Sequence, residues 1–353
     1  MKILYGIQGT GNGHISRCRM MAKYLNKTNF DVTYLISGRE KDKLFDMEVF
    51  GDFLHRDGLT FVTKNGKIDT FASARSNNVF KFIRDIRKLD VSDYDLILTD
   101  FEPITAWAAR IARKPTLAIG HQYAFGSGTP IEKETFIAKK VLKHFAPANT
   151  EIGLHWSNFD NNVLPPIVDV SMQSTPSDNS IVVYLPFENQ HDVISMLQQI
   201  TTHHFVMYSP LLEDSESLNV SIRKTSYEGF KRDLKKASGV ICNSGFELNS
   251  ECIHLGIPIL TKPIEGQMEQ ESNALAISKL NYGVSTTVLD QRTIVDWLRT
   301  TNPTQNYKPY PNVAKRLVDW ITSGMNEPVE ELSKVLWEEY RNTPSNEHCV
   351  SET

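Results

Sequence analysis

The stretch Ile241-Cys-Asn-Ser-Gly-Phe-Glu-Leu-Asn-Ser-Glu-Cys-Ile-His-Leu-Gly256-Ile-Pro-Ile-Leu-Thr-Lys-Pro263-Ile-Glu-Gly-Gln-Met-Glu-Gln-Glu-Ser-Asn273 decides how the chain is read. Gly239 to Cys242 is a short apolar run of the kind that forms a buried strand. Asn243-Ser244-Gly245 is turn chemistry, and Phe246 to Leu255 carries apolar residues at helical intervals. A strand, a Ser-Gly turn and a helix start together make an anion site, because unpaired backbone N–H groups and the helix dipole point at one spot. Pro258 to Leu260 reads as a second strand, ending in Lys262-Pro263. The loop beyond it is dense in carboxylates and carboxamides: Glu265, Gln267, Glu269 and Gln270. A phosphate cradle beside hydroxyl-binding side chains suits a nucleotide-activated sugar.

The same alternation extends towards the N-terminus. Lys2 to Ile7 is a strand run, Gln8-Gly-Thr-Gly-Asn-Gly13 a glycine-rich loop, His14 to Leu25 a helix and Asp31 to Ser37 a second strand. Such units predict a parallel sheet with right-handed crossovers. Residues 53 to 77 read as an irregular hairpin region, and Val79 to Leu89 as a basic amphipathic helix. Tyr94 to Thr99 is the clearest central strand and ends in Asp100-Phe-Glu-Pro103. A helix follows through Trp107 to Ile111. Next come a strand Thr116 to Ile119, ending in Gly120-His121-Gln122, and a helix Pro130 to Phe145.

Between Val163 and Ser180 proline and serine break every period, which marks a linker. A second alternation then begins: strand Ile181 to Leu185, helix Gln190 to Ile200, strands Phe205 to Tyr208 and Val220 to Lys224, and helix Phe230 to Ala237. After the opening stretch come a strand Val284 to Val288, a helix around Ile294 to Leu298, and two helices bounded by Pro311 and Pro328. The expected layout is therefore α/β, with two doubly wound Rossmann-like domains facing a central cleft. The boundaries are residues 1–165, a linker 166–180, and 181–327. A C-terminal helix and tail, 328–353, are expected to pack back on the first domain. Sites in such sheets lie at the carboxyl ends of strands, and Gly9–His14, Asp100–Glu102, His121–Gln122, Ser244–Gly245 and Glu265–Gln270 all fall there.

Composition sets the outer bounds. A chain of 353 residues, 40% hydrophobic and 23% charged, is an ordinary globular protein of about two domains. A formal net charge of −4 gives no reason to expect nucleic acid as a partner. Cys18, Cys242, Cys252 and Cys349 have neither Cys-x-x-Cys nor metal-ligand spacing, which points to a reducing, cytoplasmic setting and to no metal site.

With both motif sets in view, the chain resembles the GT-B glycosyltransferases, nearest the group of the peptidoglycan N-acetylglucosaminyltransferase. The resemblance is carried by Gly9-Thr-Gly-Asn-Gly-His14, Asn243-Ser-Gly-Phe-Glu-Leu-Asn-Ser-Glu251, Gly256-Ile-Pro258, Pro263, Gly266-Gln-Met-Glu-Gln270 and Asn273-Ala274. It implies inverting, metal-independent transfer from a nucleotide-sugar, a co-substrate rather than a bound cofactor and most simply UDP-linked. The donor lies in the C-terminal half. The acceptor, a glycan, a lipid-linked sugar or a small molecule, lies in the N-terminal half. The family's diphosphate loop matches Ser244 and Gly245 with their neighbours Asn243, Phe246 and Glu247, its ribose carboxylate matches Glu251, and its sugar contacts match Glu269 and Gln270, with Gln267 beside them. Gly11 and Gly13 bring the N-terminal loop to the same ligand. Two departures stand out: Leu185-Pro-Phe-Glu-Asn189 replaces a second glycine-rich turn, and Glu269 replaces one of a pair of glutamines.

For the chemistry, an imidazole suits removal of the acceptor hydroxyl's proton, and His14 closes the glycine loop; the alternative is a capping histidine. Asp100 orients His14 or else caps the helix opened by Pro103, and Glu102 competes for the orienting role or binds the acceptor. His121 and Gln122 line the acceptor pocket or are satisfied loop residues. Tyr227 or Phe230 stacks on the base or packs in the core. Lys139, Lys140 and Lys143 form a solvated helix face, with peripheral contact at an anionic membrane surface as the alternative. Three other functions compete: a nucleotide-sugar 2-epimerase of the same layout, a non-catalytic sugar-nucleotide binder, and a dinucleotide oxidoreductase. The last lacks both Gly-x-Gly-x-x-Gly spacing and an acid after the second strand.

Overall fold

Apolar strand runs and amphipathic helices assemble into two separate sheets, each covered by helices on both faces. The structure, a computed structural model, describes the chain except for residues 61, 62, 65, 69–74, 76, 127, 133–135, 160, 176–178, 301–306 and 345–353. Among the described residues, no helix is long and apolar enough to cross a membrane.

The first half contains β1 (Lys2–Gln8), β2 (Asp31–Ser37), β3 (Leu54–Arg56), a small hairpin of β4 (Thr63–Lys64) and β5 (Lys67–Ile68), then β6 (Leu96–Asp100), β7 (Thr116–Gly120) and β8 (Thr150–Gly153). Six of these form a sheet in the order β3-β2-β1-β6-β7-β8, parallel throughout. The second half contains β9 (Ser180–Tyr184), β10 (His204–Ser209), β11 (Ser215–Ser217), β12 (Val220–Lys224), β13 (Gly239–Asn243), β14 (Ile259–Lys262) and β15 (Val284–Ser285). Their order is β11-β12-β10-β9-β13-β14-β15, parallel except for β11 against β12. This is the expected two-sheet, doubly wound layout.

The pleat divides each strand between two cores, since successive side chains point to opposite faces. Leu4, Leu35 and Ile97 pack under the helices Val79–Lys88 and Pro103–Ala112, through Ile86, Ile104 and Ala108. Their neighbours Ile3, Tyr5, Ile36 and Leu98 face the first helix, Asn12–Leu25, through Cys18, Met21 and Ala22. In the second sheet, Ile181, Val183, Phe205, Met207 and Ile241 face one core, while Val182, Tyr208, Val240 and Cys242 face the other. One buried cluster runs from the first half into the second, through Trp156 and Phe246. Trp156 Nε1 donates to Ser250 Oγ at 2.7 Å across this joint. The helix Val329–Asn342 is tied to the first half: Ser333 Oγ and Trp337 Nε1 both donate to the Val163 carbonyl, at 2.8 and 2.7 Å.

Four elements depart from the sequence reading. The edge strands β8 and β11 carry polar residues such as Thr150, Glu151, Ser215 and Glu216, so no apolar period announces them. The strand expected over Val284 to Val288 is only Val284–Ser285, and the helix expected over Pro130 to Phe145 is described as Phe136–His144. Part of the region 53 to 77 lies outside the described residues.

Both sheets reverse direction of winding at one place. In the first this is between β1 and β6, and in the second between β9 and β13. Ligands in such sheets bind outside the strand ends at these switch points. Gln8 and Asp100 end the first pair, and Tyr184 and Asn243 the second.

Candidate active site

The loop after β1 enters the first helix with Gly11 as its N-cap, and no side chain caps it. His14 stands in the opening turn, which carries it to the end of β6. There His14 Nδ1 lies 2.6 Å from Asp100 Oδ1. Asp100 is fully buried and held from several sides. One turn beyond His14, Arg17 donates through Nε to Asp100 Oδ2 at 2.7 Å and through Nη2 to Oδ1 at 2.6 Å. Cys18 Sγ adds a contact to Oδ2 at 3.1 Å. Burial raises the Asp100 carboxyl, but Arg17 and then His14 outweigh it and hold it well below the usual carboxylate range. Asp100 is thus a fixed anion under the inner nitrogen of His14.

Glu102 is placed differently, which corrects the expectation that it competes for His14. Its carboxylate is the N-cap of the helix Pro103–Ala112, accepting from Ile104 N at 2.9 Å and Thr105 N at 2.7 Å. Ser37 Oγ and Thr105 Oγ1 supply two further donors, at 2.6 and 2.7 Å. Burial pushes this carboxyl up, while the hydrogen bonds pull against that shift. Every oxygen of Glu102 is engaged in the core. The cap is therefore Glu102, and the carboxylate at His14 is Asp100.

From the other half, the helix Phe246–Leu255 starts beside the first helix. A Cβ added to Gly13 would come 3.1 Å from Glu247 Cγ, and Arg17 Nη1 donates to Glu247 Oε1. One guanidinium therefore serves two buried carboxylates. Burial is the largest influence on Glu247 and pushes its carboxyl up to about 8; Arg17 pulls against it, while Asp100 and Glu251 add to the rise. Glu251, one turn on along the same face, accepts from Lys231 Nζ. Glu247, Glu251, Lys231, Tyr227, Phe230, Tyr184, Asn12 and Gly13 line a cavity of about 110 Å³ between the halves.

The turn before this helix departs from expectation. Ser244 N donates to the Lys262 carbonyl at 3.3 Å and Gly245 N to the Asn243 carbonyl at 2.8 Å, so neither N–H is spare for an anion. Ser244 Oγ pairs with Thr261 Oγ1 at 2.9 Å. The N–H groups left at this end are those of the helix's own first turn, whose N-cap Gly245 offers no side-chain bond and faces open space. Phe246 contributes only backbone there, because its ring is stacked on His121 at 3.9 Å between centroids. His121 itself is buried between Leu154 O (2.9 Å) and Asn273 Oδ1 (2.7 Å), and burial lowers its pKa. Asn273 Nδ2 in turn donates to the Ser244 carbonyl at 2.9 Å, so Asn273 joins the Ser-Gly turn to the first half.

In the loop rich in carboxamides, Gln267 caps the helix Met268–Lys279 by accepting from Gln270 N, and Gln270 Oε1 accepts from Ile264 N at 3.0 Å. Both serve their own loop. Two side chains of this loop reach across: Glu265 Oε2 pairs with Lys67 Nζ at 2.7 Å, and Gln122 Nε2 donates to Glu269 Oε2 at 3.0 Å, while Gln122 Oε1 is buried with no partner among the described residues. The sequence reading missed Arg17 and Lys231. Arg17 was legible as the residue one turn beyond His14, but Lys231 is twenty positions from Glu251 and carries no local signal.

Known proteins agree with this geometry at the level of family and fold. An uncharacterized glycosyltransferase of Methanosarcina acetivorans is 23% identical over 327 residues, covering 80% of this chain and 85% of its own. The crystal structure of LpCGTa in complex with UDP superposes with a TM-score of 0.58 at 11% identity, over 96% of this chain and 99% of that one. The glycosyltransferase SsfS6 of Streptomyces sp. SF2575, complexed with thymidine diphosphate, does so with a TM-score of 0.54 at 10% identity, over 98% and 96%. The model of glycosyl transferase family 1 matches residues 1–301. A GT-B glycosyltransferase by fold, this chain belongs to glycosyl transferase family 1.

Proposed function

We propose that the enzyme is an inverting, metal-independent transferase that moves a sugar from a UDP-linked donor to an acceptor hydroxyl, with His14 as general base. The observation that carries this reading is the 2.6 Å contact between His14 Nδ1 and Asp100 Oδ1 at the switch point of the first sheet. Asp100 fixes the ring through Nδ1, which leaves Nε2 to take the hydroxyl proton as the oxygen attacks the anomeric carbon from the face opposite the nucleotide. The imidazolium formed is stabilised by the adjacent carboxylate. On the other side of the sugar, negative charge grows on the diphosphate, and the uncapped start of the helix Phe246–Leu255 supports its departure.

The nucleoside belongs, on this reading, in the cavity beside Tyr227 and Phe230, where Glu251 accepts from ribose hydroxyls after exchanging Lys231. Glu269 and Gln122 face the sugar from opposite halves. The UDP and thymidine diphosphate held by the fold neighbours support a nucleoside diphosphate as donor handle. The test is paired titration and turnover. His14→Ala abolishes transfer and leaves the Kd for UDP nearly unchanged, whereas Glu251→Gln weakens UDP binding. Equal loss of UDP affinity in both variants would overturn the division of roles.

A further inference from the structure

Two charged side chains at the switch point of the second sheet have no part in the chemistry above. Lys262 ends β14, and Glu188 lies in the loop after β9, one on each side of β13. Lys262 Nζ donates to Glu188 Oε1 at 2.7 Å, with only 16% and 14% of the two side chains exposed. Asn243 Nδ2 makes a longer contact to the same oxygen, at 3.4 Å. Asn243 is buried, and its Oδ1 has no hydrogen-bond partner among the described residues. The Lys262 carbonyl accepts from Ser244 N and from Asn243 Nδ2, so this lysine is stitched to the turn that opens the helix Phe246–Leu255.

A lysine beside an uncapped helix N-terminus is unfavourable by itself, because the helix dipole presents positive charge there. An anion beside the lysine offsets this, and in this structure Glu188 supplies it. A single carboxylate is a weak match for such a site. A diphosphate brings more negative charge and more acceptor oxygens, which a lysine and a row of N–H groups satisfy better.

We infer that Lys262 is a diphosphate-binding residue and that Glu188 is its resident counter-ion, displaced when the nucleotide enters. The inference rests on the donor reading above. Two further contacts join the loop of Glu188 to the first half. Gly66 N, in the turn of the β4–β5 hairpin, donates to the Phe187 carbonyl at 2.7 Å, and Glu265 N donates to the Gly66 carbonyl at 2.8 Å. A Cβ on Gly66 would lie 2.7 Å from Glu188 Oε1. Gly66 of the first half thus lies against the loop that carries the counter-ion.

The experiment is isothermal titration of the full chain with UDP and, separately, with inorganic pyrophosphate, on wild type, Lys262→Met, Lys262→Arg, Glu188→Gln and the Lys262→Met/Glu188→Gln pair, each checked for folding by its thermal transition. Lys262→Met weakens both probes about tenfold, and Lys262→Arg keeps most of the affinity. Glu188→Gln tightens both several-fold, and the double variant matches Lys262→Met, because the gain needs the lysine. Unchanged affinity in folded Lys262→Met, or an equal gain from Glu188→Gln without Lys262, overturns the assignment while leaving the donor reading standing. A wild type that binds neither probe overturns both.

Discussion

Gly13 and Glu247 belong to different halves of the molecule, yet a Cβ on Gly13 would sit 3.1 Å from Glu247 Cγ. The two helix starts that flank the cleft therefore meet at a glycine, and Arg17 pins the carboxylate on the far side of the contact. In an ordinary helix, Gly→Ala gains about 0.5–1 kcal/mol. Here Gly13→Ala is expected to gain nothing in Tm and to raise the Kd for UDP several-fold, since Glu247 must move away from the first helix. A normal gain in Tm with unchanged affinity would show that the contact yields freely.

Arg17 is the single cation that Asp100 and Glu247 share. Arg17→Met removes it, which leaves buried Glu247 without its counter-charge and Asp100 with His14 alone. The expected destabilisation is about 3–5 kcal/mol, read as a shift in the denaturant midpoint. It is larger at pH 9 than at pH 6, because Glu247 carries a proton in the more acidic buffer.

The two neighbouring acids separate by the same logic. Asp100→Asn keeps the shape of the site but replaces the fixed anion beneath His14. The expected fall in kcat is on the order of 10²-fold or more, with the Kd for UDP unchanged. Glu102→Ala strips the cap from Ile104 N and Thr105 N and costs about 1–3 kcal/mol of stability, while the folded enzyme turns over normally. A fall in kcat in Glu102→Ala equal to that in Asp100→Asn would return Glu102 to the reacting centre.

These two acids also show where sequence reading stops. Apart from the polar edge strands β8 and β11, the strands and their order of alternation were legible, because each is an apolar run ended by turn residues, and the ends of those runs placed His14, Asp100 and the Ser244–Gly245 turn at the cleft. What separates Asp100 from Glu102 is the pleat. Asp100 continues the face of β6 that Leu98 presents to the first helix, while Glu102 lies beyond the strand, where the chain turns into the next helix. The N–H groups of Ser244 and Gly245 were read as free, but β14 lies alongside β13 and takes one of them. Pairings such as Lys231 with Glu251, Gln122 with Glu269 and Lys262 with Glu188 join segments far apart in the chain. Only the fold brings them together.

Glu247 gives the fold a pH dependence of definite sign. Its carboxyl is raised from the ordinary value near 4.5 to about 8 by burial first and by the nearby Asp100 and Glu251 carboxylates, against the pull of Arg17. A raised folded-state pKa means that the native protein binds more protons than the unfolded chain between those values. Its contribution is fully present below pH 4.5 and is lost as pH climbs through about 8. Glu247→Gln carries no titrating group and still accepts from Arg17 through its amide oxygen. The wild-type Tm should therefore fall more steeply than that of Glu247→Gln between pH 5 and pH 9, with the variant the more stable protein at the alkaline end. Parallel Tm curves for the two proteins would show that Glu247 is ionised throughout and that Arg17, not burial, governs it.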